Sequence, residues 1–345
     1  MRFLAPAGLL LLFSACGATD DAVKTGSAQR ATYNGGSGSA PTDARGFLTE
    51  APELYYPEHS NLFIERTVEI PSTSIVGAYH LFHEALHADG QGNFSLEVTE
   101  VKLDSDTAFS APSPDLLITY QEQQRYMVEY RDIHLGLQHG LSQNFRWIED
   151  PVVQQVAGID CIHYTAESRH DLGNAEFWAD ANSGLILGYT MLDSSGDVTL
   201  KLTTTFIDTV TPNHANIAWS TSLVDEEIYD SSSNSITLDF TVSEPSYLPP
   251  GFYQKSARVL DSFGMIQGMG NLYVALYTDG IHQLFVAQHS ENNTGAVQIS
   301  GAVNLARFSE TGGICMVEGN PPFKKVYVVG QMPRAEIHTV FSSLF

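Results

Sequence analysis

No proline stands between Pro151 and Pro212. Proline removes a backbone donor, so a long run without it can be paired as strands along its whole length. Two turn signals divide that run, Asp180-Ala-Asn-Ser-Gly184 and Asp193-Ser-Ser-Gly196. Each sets Asp or Asn ahead of a glycine that can take positive φ, the chemistry of a short hairpin connection. Leu185–Leu192 is apolar on both faces, whereas Val198, Leu200, Leu202, Thr204 and Phe206 alternate with polar residues. The pattern predicts an antiparallel meander over Val156–Val210, with one strand covered on both sides and the last on one side only.

At 345 residues, 43% of them hydrophobic, the chain is long enough for two domains with cores of their own. Forty acidic against 17 basic residues leave a formal charge of -23. Such a surface repels nucleic acid and anionic headgroups, and no local basic patch offsets it, so no nucleic-acid partner is expected.

The N-terminus reads as an export signal. Arg2 precedes an apolar run, Phe3–Phe13, too short for a permanent membrane span. It ends in Phe13-Ser14-Ala15-Cys16, similar to a bacterial lipoprotein signal in which cleavage leaves a lipid-modified cysteine as the first residue. The alternative is an ordinary secretory signal with an incidental Cys16. The lipoprotein reading implies a palmitate-type anchor on Cys16, and Gly17 after it implies sorting to the outer membrane. Residues 17–46, rich in Gly, Ser, Ala and Thr, form a flexible tether with a reach of about 30 Å. Export would leave Cys161 and Cys315 in an oxidising compartment, either paired or as two separately buried thiols.

Leu62–Ile70 alternates as a first strand, and Phe94, Leu96 and Val98 alternate in another. Arg125–Leu135 is a further strand candidate, and Gln138–Trp147 is expected to hold a short helix. Polar composition between 212 and 235 marks a linker, dividing the folded chain into domains 47–211 and 236–345. In the second, strands are expected at Ile236–Val242, Asn271–Thr278, Leu284–His289 and Lys325–Val329, with Asp279-Gly280 in a hairpin turn. After Pro333, a closing helix carries Ile337, Val340, Phe341 and Leu344 at helical spacing. The second domain is thus a small α+β unit.

One motif points to an enzyme. His83-Glu84-Ala85-Leu86-His87 matches H-E-x-x-H. On a helix it sets two imidazoles on one face for zinc, with Glu84 as general base of a hydrolase. On a strand His83 and His87 stand about 13 Å apart and Glu84 faces the other way, so no single zinc binds all three. Tyr79, Phe82 and Leu86 fit a helical stripe, while Asp89-Gly-Gln-Gly92 followed by alternating Phe94, Leu96 and Val98 fits a hairpin. Asp180-x-Asn182 with Gly184 lacks the rest of a calcium loop and is accounted for by a turn. His134, His163 and His170 read as ordinary polar positions.

Six segments, in order, resemble one family. Arg125–Asp132, Val156-Ala-Gly158 and Phe177–Leu185 with Asp193–Gly196 look like the N-terminal domain of the RseB/MucB periplasmic regulators. Leu248–Phe252, Tyr277–Ile281 and Val328–Pro333 look like their C-terminal domain. The resemblance implies a mainly β, α+β chain: an antiparallel half-open β-barrel, shared with the LolA and LolB carriers, then the small α+β domain. It also implies a non-enzymatic envelope protein of the sigma-E stress-response type, facing the periplasm. The expected ligand is a lipid or acyl chain, and the expected partner a membrane-bound anti-sigma factor. A lipid or lipoprotein carrier, and a zinc-dependent hydrolase using His83, Glu84 and His87, stand as alternatives. The sequence does not select ligand-lining residues.

Overall fold

The computed structural model describes residues 46–57, 60–72, 77–103, 106–113, 135–219, 221–222, 238, 240–260, 269–291, 307–311, 314–319 and 324–345. Cys16, the tether before residue 46 and the Arg125–Asp132 segment lie outside them.

The larger sheet has nine strands in the order β4-β5-β6-β7-β8-β1-β2-β3-β9. These are β1 (Asn61–Pro71), β2 (Tyr79–Asp89), β3 (Asn93–Lys102), β4 (Phe145–Val156), β5 (Ile159–Ser168), β6 (Asn174–Asp180), β7 (Ile186–Leu192), β8 (Val198–Asp208) and β9 (Thr221–Ser222). Every pairing is antiparallel, and β4 and β9 do not pair, so the sheet stays open rather than closing into a barrel. The meander β5 to β8 folds as its turn chemistry requires. Asp180 and Asp193 accept backbone N–H groups two residues on, from Asn182 at 3.0 Å and Ser195 at 2.8 Å. Strand β7 is buried on both faces up to Met191. Residues 53–55 run beside it, and Tyr55 exchanges backbone bonds with Gly184 and Ile186 at 2.9 Å.

Alternation fails at one point on β8. A register shift opposite Glu65/Arg66 sets Ile207 against Ile64, while Phe206 turns outward, 48% exposed, with its ring 6.0 Å from that of Phe63. A bulge adds one residue and so reverses which face the following side chains occupy. Pro151 likewise lies within the irregular stretch Asp150–Gln154 of edge strand β4, where no ladder donor is required.

The helix expected at Gln138–Trp147 is shorter. Helix α1 (Gln138–Asn144) stops where Phe145 and Trp147 begin to alternate and pair with β5. Both rings are buried in the inner face, with Leu62, Ile64, Leu86, Leu96 and Phe177.

The smaller sheet has the order β10-β11-β12-β15-β14-β13, again antiparallel. Its strands are β10 (Tyr253–Leu260), β11 (Met269–Thr278), β12 (Gln283–Glu291), β13 (Arg307–Thr311), β14 (Ile314–Gly319) and β15 (Lys324–Gly330). Helix α2 (Arg334–Ser342) follows Pro333 and buries Ile337, Val340 and Phe341, with Leu344 just beyond its end. The strand expected over Ile236–Val242 does not form among its described residues. Leu238, Phe240 and Val242 still pack on the core of this sheet. The segment is held by side chains instead: Lys324 Nζ donates to Thr241 O at 3.0 Å, and Gln288 Nε2 donates to Ser243 O at 2.7 Å. The fold is therefore mainly β within the α+β class.

Candidate functional site at the helix shared by the two sheets

The H-E-x-x-H segment is a strand. All of Tyr79–Asp89 pairs with β1 in unbroken register, from Asn61↔Asp89 to Pro71↔Tyr79. That ladder overrides the helical stripe, because only the strand buries Phe82, Leu86 and Ala88 on one face. Glu84 shares the buried face, and His83 and His87 occupy the other. Arg66 Nε donates to Glu84 Oε2 at 2.9 Å, with side chains 2% and 0% exposed. His83 Nδ1 lies 3.0 Å from Glu100 Oε2 and its ring stacks on Phe109 at 4.0 Å. His87 turns to His214, in the segment after β8. The expectation of a hydrolytic zinc centre on His83, Glu84 and His87 is corrected on this geometry: strand rise separates the imidazoles, and the intended base is engaged by a buried guanidinium.

A different arrangement joins the two sheets. Helix α1 lies over the inner face of the larger sheet and is bonded there from two directions. Trp147 Nε1 donates to Leu141 O at 3.2 Å, and Ala51 N donates to Ser142 Oγ at 2.9 Å. The Gln138 amide donates to Ala51 O. Leu48, Ala51 and Leu141 thereby belong to the same apolar cluster as Leu62, Ile64 and Leu86.

The far side of α1 receives the β11–β12 turn. Asn144 Nδ2 donates to Asp279 O at 2.7 Å and to Gly251 O at 3.1 Å, and its Oδ1 lies 3.3 Å from His170 Nε2. Gly136 N donates to Gly280 O at 2.8 Å, and Leu137 N donates to the Tyr253 hydroxyl at 3.1 Å. Gly280 has φ +113°, and a Cβ there would meet Leu141 Cδ2 at 2.8 Å. The turn is braced internally. Asp279 Oδ1 accepts the N–H groups of Ile281 at 2.9 Å and His282 at 2.8 Å, and Oδ2 accepts from His282 Nδ1 at 2.8 Å. Thr278 Oγ1 donates to His282 O at 2.8 Å and accepts from Gly280 N at 2.9 Å.

Hairpin tips normally sit in water. Here Thr278, Asp279, Ile281, His282 and Gln283 are each at most 1% exposed, and Ile281 belongs to the core of the larger sheet. The turn that looked ordinary in sequence is the plug joining the sheets. Its one visible signal was Ile281, an apolar residue straight after Asp-Gly, where an exposed turn carries a polar one. Asn144, at the end of α1, had no signal at all, and Gly251, in the loop before β10, was marked only as part of the segment Leu248–Phe252.

Cys161 is buried and unpaired, and burial pushes its thiol up to about 11. No group of three or more metal-binding side chains occurs among the described residues.

No family model and no curated protein matches the chain. Among solved structures it is similar to MucB in complex with MucA(peri), at 17% identity, covering 82% of this chain and 92% of that one, with a TM-score of 0.41. It is also similar to the MucA/MucB complex of Pseudomonas aeruginosa, at 14% identity over 82% and 93%, TM-score 0.41. A third similar structure is MucB, at 15% identity over 83% and 92%, TM-score 0.45.

Proposed function

We propose that this chain is a non-enzymatic envelope lipoprotein that binds an acyl chain against the inner face of its larger sheet and passes that state to a protein partner through the smaller one. It is anchored by a lipid on Cys16 at the outer membrane, with 47–211 and 236–345 as its two domains, joined by 212–235, whose first part runs along the larger sheet to β9. The observation that carries the reading is the double attachment of α1. Its one side is bonded to the apolar wall through Trp147 and Ala51, and its other to the Asp279–His282 turn through Asn144. A chain inserted beneath α1 has to lift it, and lifting it strains the bonds to the turn. A passive carrier has no use for that second attachment. The partner class to test is the periplasmic part of a membrane-bound anti-sigma factor.

The test uses the full-length protein purified from bacterial membranes. Mass spectrometry of its organic extract is expected to find retained acyl chains. A fluorescent fatty-acid probe is expected to saturate and to alter hydrogen exchange at 278–283. Absence of retained lipid together with an unresponsive turn would sink the reading. For the anchor, Cys16→Ser is expected to move the protein from the membrane to the soluble fraction.

A further inference from the structure

Beyond Asp208 the chain does not leave the larger sheet. It crosses the outer face from β8 over β1 and β2, and rejoins the far side as β9, paired with Asn93 and Phe94 of β3. Between these ends His214 bonds it to the sheet. His214 Nε2 donates to Asn61 Oδ1 at 2.9 Å, and its Nδ1 lies 3.3 Å from His87 Nδ1. The two imidazoles meet edge to face at 5.5 Å, Trp219 lies 5.3 Å from the His214 ring, and Phe63 lies 4.5 Å from the His87 ring. We propose that residues 209–219 are a strap released by protons, closed over the outer face by the His87–His214 bond and opened when that pair takes up its second proton.

The argument is a proton count. With Asn61 Oδ1 accepting from His214 Nε2–H, the neutral His214 presents a lone pair at Nδ1, and His87 must donate its Nδ1–H to it. A first proton can be carried on His87 Nε2 without disturbing that bond. A second has to go on His214 Nδ1, where it faces the Nδ1–H of His87 and brings two positive charges together. The closed strap therefore holds at most one proton at this pair, whereas the released strap holds two.

The surrounding groups set the window. Burial and then His214 hold His87 below the ordinary histidine value of 6.5, and Glu97 on β3 acts in the opposite sense. Glu65 and Asp208 lie on the same outer face, on β1 and β8. Asp208 Oδ1 accepts from Val210 N and Thr211 N, both at 3.0 Å, at the root of the strap. Asp89 is occupied by Gln91 N, Asn93 N and Asn93 Nδ2. No carboxylate bonds directly to His87 or His214 among the contacts of the described residues. The released strap can take up the second proton and the closed strap cannot, so closure is fully stable above the ordinary histidine value and loses stability as pH falls below it. One proton of difference gives a change that approaches about tenfold per pH unit well below about 6.5.

Hydrogen exchange on the full chain, corrected for intrinsic rates, reads this directly. Opening of 209–219 is expected to rise about fivefold between pH 6.5 and 5.5, with β5 and β6 unchanged as internal reference. His214→Phe keeps a ring against Trp219 but cannot take a proton, and His87→Gln removes the other imidazole. In both variants the pH response is expected to vanish. A wild-type strap indifferent to pH, or an equal response in the variants, overturns the proposal. Should the variants not fold, imidazole resonances of the wild-type chain decide. Two coupled steps, the second coinciding with opening, support the latch; independent titration with the strap closed throughout overturns it.

Discussion

Asn144 Nδ2 donates to the carbonyl oxygen of Asp279 at 2.7 Å across 135 positions of sequence, which ties the last residue of α1 to the turn of the smaller sheet. The same amide nitrogen reaches Gly251 O at 3.1 Å. Asn144→Ala strands buried carbonyls without a donor, at a cost of about 2–3 kcal/mol. Urea unfolding is expected to register that loss, and hydrogen exchange at 278–283 is expected to rise more than in either sheet.

Gly280→Ala attacks the same junction through shape. Its φ of +113° suits glycine alone, and the added methyl would lie 2.8 Å from Leu141 Cδ2. The expected outcome is separation of the sheets with each still folded, seen as a larger radius of gyration in solution scattering with an unchanged β-sheet circular dichroism spectrum.

The buried Arg66–Glu84 pair makes a third case. Removing one partner breaks a buried charge pair, so Arg66→Met or Glu84→Gln is expected to cost about 3–5 kcal/mol in denaturant unfolding. Arg66→Met with Glu84→Leu is expected to recover most of it, because two well-packed apolar side chains need no solvation. A hydrolase base at Glu84 would predict the reverse, with stability unmoved by Glu84→Gln.

Cys161 is expected to resist modification. With its thiol pushed up to about 11 by burial, only about a thousandth is thiolate at pH 8. A disulfide reagent is expected to leave it unreacted in the native protein and to label it at the rate of unfolding once denaturant is added.

Much of the larger sheet was legible in the chain. The absence of proline from 152 to 211, the two Asp/Asn-to-Gly turns and the apolar run at Leu185–Leu192 are local signals, and local chemistry is enough to define a meander. The closing helix after Pro333 was legible for the same reason. Phe206 was not, because a one-residue bulge opposite Glu65/Arg66 depends on how β8 meets β1, and nothing in β8 alone encodes it. Ile236–Val242 has an apolar composition suited to a strand, yet at its described end Thr241 O accepts from Lys324 and the adjoining Ser243 O from Gln288.

The site divides along the same line. The sequence by itself determined which residues could bear chemistry, placing His83, Glu84 and His87 at a spacing that serves zinc on a helix and nothing shared on a strand. Only the tertiary structure decided between them, because the eleven-pair ladder with β1 fixes which face each side chain takes. It sent Glu84 inward to Arg66, His83 to Glu100 and His87 to a histidine 127 positions away. The Asp279–Gly280 turn was likewise determined locally as a turn. Its burial against Asn144 was decided by packing between distant segments, which no period in the chain records.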